Sequence, residues 1–341
     1  MDEHSFRLGG RYLSSNWLML TSYAISAAGL GYIVWNLHPS QLKADLAGIT
    51  WWLVAVAIIL DVTPRALQAV RWRYLLRPLS LGYRFVLQAI YVGTLYSGIL
   101  PLSTGDAVRG VMVARKARTS VASVFSTEFL ERTSDAVALI LVIWFTLRGL
   151  VLPQALRLVL ASLEALIGAA IIVGFVMALR KGDLGTHFMS WRPSSKIARR
   201  LKSIVSGVMA AISAYTIWGL IASISTALGI AFLRVAVLWL LLTAYHLHLS
   251  FFHAAGLFAI VMIGTFLPNT PGNIGSWQFF CVLGLGLFGV TGSQAAGFSL
   301  VAFAVWTVPP VLIGVGALLM SPFSWTELRV RRKGKATETA A

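Results

Sequence analysis

The chain has 341 residues, 57% of them hydrophobic and 12% charged, with a mean hydropathy of +0.79, whereas soluble domains carry about 25% charged residues. Lys plus Arg total 28 against 12 Asp plus Glu, yet these cations gather in short connecting segments and in the two tails, the positive-inside pattern of a membrane protein rather than a nucleic-acid patch. A soluble architecture and nucleic-acid binding are thereby excluded, and the single cysteine, Cys281, rules out an intramolecular disulfide.

The pattern predicts an all-α polytopic membrane bundle: a cytoplasmic segment 1–16, one transmembrane domain over 17–320, and a basic, partly disordered cytoplasmic tail 321–341. The apolar stretch Trp17–Trp35 is longer than a signal-peptide core, so it is expected to remain as the first span. Further spans are expected at 50–64, 135–151, 158–179, 214–232, 235–252, 274–290 and 297–320, about eight in all. Basic segments lie at 65–84, 109–118 and 180–202, and in the tail at Arg329, Arg331, Arg332, Lys333 and Lys335.

Placing these segments and both termini on the cytoplasmic side of the inner membrane requires 85–108 to enter and leave on the same side. Phe85–Leu100 is short for a span, and Pro101 and Gly105 stop its helix at membrane depth. Broken backbone is tolerated there only where protein shelters it or a wet cavity meets it.

The punctuation recurs at Pro268, Pro271, Gly272 and Gly275. Phe266–Asn273 aligns without gaps on Ile99–Asp106, with Pro268 on Pro101, Thr270 on Ser103 and Gly272 on Gly105. An internal duplication is therefore expected, and paired interrupted segments are the best sequence pointer to a transporter's binding site. The loop assignment puts both breaks on the cytoplasmic side; an inverted repeat needs opposite sides, so the symmetry stays open.

Three groups of residues could bind a polar ligand. At the first break Ser103, Thr104, Asp106 and Arg109 place hydroxyls, a carboxylate and a guanidinium beside the start of a new helix, a setting that suits phosphate or carboxylate; Arg109 could equally be a topology anchor. Glu128, Glu131, Arg132 and Asp135 fall on one stripe of a helix entering the membrane, with Arg132 able to bridge Glu128 and with Glu131 and Asp135 left for another cation such as Arg109. At the second break Asn269, Thr270, Asn273 and Gln278 supply uncharged hydrogen-bonding groups. Gly284–Gly289 formally matches a dinucleotide motif but sits in an apolar helix, and His246, His248 and His253 lack ligand spacing. Neither a cofactor nor a metal is expected.

Pro101, Gly105, Asp106 and Arg109, followed by Glu131, Arg132 and Asp135 and then by Pro271, Gly272 and Gly275, resemble in order and spacing the lysylphosphatidylglycerol synthase transmembrane-region family, over about residues 15–320. The resemblance implies a bacterial or archaeal cytoplasmic-membrane protein that handles a polar lipid, often by moving it between leaflets. The family commonly has Glu where Asp106 stands, which keeps the charge, and an acidic residue near Gln278, which loses it. The expectation is a flippase-like transporter whose two breaks meet near the bilayer midplane, with anionic membrane lipids as partners. The alternatives are a membrane-embedded lipid-modifying enzyme using Glu131 and Asp135 as acid and base, or a non-catalytic partner of a lipid-biosynthetic enzyme.

Overall fold

The computed structural model describes residues 12–36, 39–99, 104–150, 217–265 and 270–323, with isolated positions between 154 and 172. Expectations for residues 1–11, for most of 158–179, for the basic segment 180–202 and for 324–341 lie outside the described residues. The described part is all helical: α1 (Tyr12–Asn36), α2 (Pro39–Gly48), α3 (Trp51–Leu75), α4 (Tyr83–Ile99), α5 (Thr104–Ala117), α6 (Val121–Gly149), α7 (Ile217–Ala244), α8 (Phe251–Thr265), α9 (Ser276–Leu287) and α10 (Gly292–Leu319). Helices α3, α7 and α10 are each long and apolar enough to cross a bilayer, and α1 and α6 match them in length at 25 and 29 residues.

Two boundaries differ from the sequence reading for a physical reason. The spans expected at 214–232 and 235–252 are largely one helix, α7, because the Arg234 between them does not break a helix and no Pro interrupts Ile217–Ala244. Likewise α3 does not end near residue 64: it carries Pro64 within it and runs on to Leu75, taking Arg65 and Arg71 into the bundle. At the start of α6 the Ser120 side chain accepts a hydrogen bond from the Ser123 N–H (3.2 Å), so this helix begins well before the apolar stretch at 135.

The duplication extends over most of the described fold. Aligning Pro268 on Pro101 is an offset of 167 residues, and that offset carries α3, α4, α5 and α6 onto α7, α8, α9 and α10 to within a few residues at most ends. Packing follows the same rule: α3 against α4 has its counterpart in α7 against α8, α4 against α5 in α8 against α9, α5 against α6 in α9 against α10, and α4 against α10 in α8 against α6. The most extensive pairing joins the two equivalent helices α3 and α7.

Helices α3 and α7 run antiparallel. At one end the Thr50 N–H donates to the Ala244 carbonyl (3.0 Å), and at the other Leu220 packs on the cluster that holds Trp72 and Leu75. Equivalent helices pointing in opposite directions require a pseudo-two-fold axis across the bundle, so the repeat is inverted, a common transporter architecture. The hairpin α4–α5 therefore starts at the Leu75 end of the bundle and α8–α9 at the Trp51 end. This corrects the assignment of both breaks to one side: counting α7 as two spans had added one crossing.

The hairpin tips meet. A Cβ on Gly272 would lie 2.9 Å from the Gly98 carbonyl oxygen, so the turn after the second break abuts the helix that leads into the first. Within α4–α5 the backbones touch, since a Cβ on Gly93 would lie 2.8 Å from the Gly105 carbonyl oxygen; small residues at such crossings allow helices to approach closely. Helix α1, outside the repeat, lies along α9, with the Gly29 and Gly275 backbones in contact.

Candidate functional site

Two apolar cores leave a polar layer between them. One core joins the start of α3 to α7, α8, α9 and α10 (Val54, Ala57, Leu238, Leu241, Leu257), and the other joins the end of α3 to α4 and α5 (Trp72, Leu75, Val86, Met112). Between them on α3 lie Asp61, Arg65 and Arg71, all buried, and on α6 lie Glu128 and Glu131, also buried. A cavity of about 200 Å³ occupies this layer, bounded by α3, α4, α5, α6 and α7, with room for several waters. Five arginines line it, Arg65, Arg71, Arg109, Arg132 and Arg234, beside Asp106 and Asp135.

The arginines are held by a network linking three helices. Arg71 donates from Nη1 to Asp135 Oδ1 (2.7 Å) and from Nη2 to Glu131 Oε1 (3.1 Å), and Gln68 Nε2 donates to the same Glu131 oxygen (2.6 Å). Arg109, 3% exposed, lies with Nε 3.2 Å from Asp106 Oδ1 and 3.5 Å from Glu128 Oε1, and with Nη1 3.0 Å from Glu131 Oε2. These are charge contacts without hydrogen-bond alignment, since neither the Nε nor the Nη1 group makes a hydrogen bond. Its guanidinium stacks 4.6 Å above the Trp72 ring, and the Trp72 indole N–H donates to Thr127 Oγ1 (3.0 Å). Arg132 pairs with Asp106 at the more exposed rim, and Arg65 Nη1 donates to Asp61 Oδ2 (2.9 Å) one turn away. Charges are costly at membrane depth, and mutual pairing around a wet cavity is the arrangement that tolerates them.

The predicted residues divide in two. Asp106, Arg109, Arg132 and Asp135 line the cavity, with Glu131 directly behind them. Arg132 reaches Asp106 rather than Glu128; Glu128 turns toward Arg109, in space left by Gly110, where a Cβ would stand 3.0 Å from its Oε1. Thr104 opens α5, with its hydroxyl buried and unbonded among the described residues. Ser103, Pro101, Asn269 and Pro268 lie outside the described residues.

Among the described residues, none of the second break lines the cavity. Pro271–Asn273 forms a single tight turn with Gly272 and Asn273 at positive φ (65° and 57°). Thr270 and Ser276 bond the Ser26 hydroxyl of α1 at 3.2 and 2.7 Å. Gln278 is buried and accepts the Gly275 N–H (2.7 Å), which caps α9. The polar groups of Thr270, Ser276 and Gln278 are thus used within the protein.

The cavity residues that escaped the sequence reading include Arg65, Gln68, Arg71 and Arg234. Arg65, Gln68 and Arg71 looked like part of a basic loop, and Arg234 marked a boundary between spans. A signal existed for the first two: positions 61, 65, 68 and 72 recur at helical spacing, which places Asp61, Arg65, Gln68 and Trp72 on one face if the helix continues through Pro64.

The family model described as "Lysylphosphatidylglycerol synthase TM region" matches residues 19–314. A UPF0104 membrane protein of Methanothermobacter thermautotrophicus is 24% identical over 86% of this chain and 93% of its own length. A protein of Haloferax volcanii named Glycosyltransferase AglD is 23% identical over 91% of this chain, which spans about half (54%) of that relative.

Proposed function

The chain belongs to the lysylphosphatidylglycerol synthase transmembrane-region family, and from that premise we propose that it moves a polar, phosphate-bearing lipid or lipid-linked intermediate between the leaflets of the cytoplasmic membrane. One observation carries this reading: an arginine-lined cavity lies inside the helical bundle, bounded by the first broken hairpin, by α6 and by the equivalent helices α3 and α7 of the two inverted repeats. Arginine forks suit lipid phosphate, and a site between inverted repeats is placed for access from either leaflet.

Arg73, Arg77, Arg84, Arg115, Lys116 and Arg118 cluster at the Leu75 end of the bundle, so the positive-inside rule puts that end in the cytoplasm. The C-terminal end of α10 lies there too, since Gln88 donates to the Ala317 carbonyl (2.8 Å). Chemistry by Glu131 and Asp135 as acid and base is a poorer reading, because Arg71 binds both carboxylates.

The test is translocation of fluorescent phosphatidylglycerol in reconstituted liposomes, read by quenching of the outer leaflet. Wild type is expected to make the inner-leaflet lipid accessible, Arg109→Ala to abolish this, and Arg109→Lys to restore part of it. Equal translocation by wild type and Arg109→Ala removes Arg109 from the mechanism, and a wild-type protein that moves neither this lipid nor any other polar lipid overturns the proposal.

A further inference from the structure

Counted together, the polar layer holds five arginines and five carboxylates, Asp61, Asp106, Glu128, Glu131 and Asp135. The formal balance is even but the distribution is not. Three carboxylates crowd Arg109 within 3.5 Å. Arg234 has no carboxylate within ion-pair distance among the described residues; its guanidinium lies 5.8 Å from the centre of the Trp306 ring.

Depth makes this imbalance informative. Arg234 stands ten residues before Ala244, and Arg65 ten residues before Leu75. At about 1.5 Å per residue each is about 15 Å from its helix end, half of a hydrocarbon core about 30 Å thick. Because α3 and α7 are antiparallel with Thr50 against Ala244, Arg65 lies about 22 Å and Arg234 about 15 Å from that shared end, so both stand near the middle, about one and a half helical turns apart along the axis, and line the same cavity. A lone Arg there costs about 2.5–3.5 kcal/mol even by insertion scales. Snorkelling is no remedy at the midplane, so of the five guanidinium groups this one gains most from an anion entering the cavity.

We propose that Arg234 and Arg65 together form an oxyanion site, taking the phosphate of the transported lipid between α3 and α7, with Gln68 and Thr94 on the same wall. The inference rests on the transport reading and deepens it. It assigns the ligand to the two central helices rather than to Arg109, whose carboxylates already surround it. Arg65 commits one nitrogen to Asp61, whereas Arg234 is free of such pairing among the described residues. One arginine comes from each repeat, and the equivalent helices meet at the pseudo-two-fold axis.

The test is equilibrium binding to the full-length protein in detergent, by calorimetry, with three probes: dioctanoyl phosphatidylglycerol, dioctanoylglycerol, which lacks the phosphate, and inorganic phosphate. Wild type is expected to bind the phospholipid and not the phosphate-free lipid. Arg234→Met is expected to weaken phospholipid binding at least about tenfold, the loss of a charge-assisted bond, without lowering the thermal unfolding midpoint, because no carboxylate is orphaned. Arg234→Lys should recover part of the affinity. Undiminished binding by Arg234→Met, or equal binding of the two lipids, overturns the site. Inorganic phosphate binding as tightly as the phospholipid, and lost in Arg234→Met, upholds the oxyanion site with a free anion as its source and counts against lipid transport. Failure of translocation in liposomes with these binding results intact counts against transport alone.

Discussion

Glu131→Gln is the substitution that probes the buried network most severely. Glu131 is 0% exposed; its Oε1 accepts from Gln68 at 2.6 Å and from Arg71 at 3.1 Å, and its Oε2 stands 3.0 Å from Arg109 Nη1. Gln preserves the shape but turns an NH₂ either toward Arg109 or toward Gln68 and Arg71, so one orientation or the other sets donor against donor. Breaking a buried pair costs about 3–5 kcal/mol. Arg71 keeps Asp135 at 2.7 Å and Arg109 keeps Asp106 at 3.2 Å, which brings the expected loss toward the lower end, about 3 kcal/mol. The assay is denaturant unfolding in mixed micelles, run as a double-mutant cycle with Arg71→Met. The two changes should be non-additive by about 1–3 kcal/mol. A Glu131→Gln variant within about 0.5 kcal/mol of wild type, or strictly additive single changes, would refute the network.

Other consequences are more local. Gly105→Ala puts a Cβ against the Gly93 carbonyl and the Ser97 hydroxyl, and should lower stability by about 1–3 kcal/mol, while Gly286→Ala, with nothing near its Cβ, should be neutral or stabilising in the same unfolding assay. Gln278→Ala removes the cap on α9 and should cost about 1 kcal/mol, seen as faster hydrogen exchange at the Gly275 amide, with translocation unchanged because Gln278 does not line the cavity.

The backbone plan was largely legible in residue order. Pro101 with Gly105, and Pro271 with Gly272, marked where helices stop at membrane depth, and the gapless pairing of the two breaks exposed a repeat that runs through eight helices. Arg109, Asp106, Arg132 and Asp135 were legible because charge beside interrupted backbone is rare in an apolar chain. Arg71 was not, since a positive-inside reading cannot distinguish a loop cation from one paired to a carboxylate about 60 residues later; Arg65 reads as a loop cation too, although Asp61 one turn earlier is its partner. The direction of the repeat turned on the stretch around Arg234: read as two spans, 214–232 and 235–252, it gives breaks on one side, and as the one helix α7 it gives breaks on opposite sides. Thr270 and Gln278 have the right chemistry for a ligand but spend it on α1 and on a helix cap, a choice only tertiary structure reveals.

The central claim is that a polar, anion-attracting cavity reaches membrane depth within the folded bundle. Thr94 lines that cavity, and the native Cys281 is fully buried, so Thr94→Cys supplies a reporter against a silent background. In the reconstituted protein this cysteine is predicted to react with a membrane-impermeant anionic methanethiosulfonate, faster than with a cationic reagent of similar size, and to be protected by phosphatidylglycerol. Labelling that occurs only after denaturation, or that favours the cationic reagent, would contradict the account.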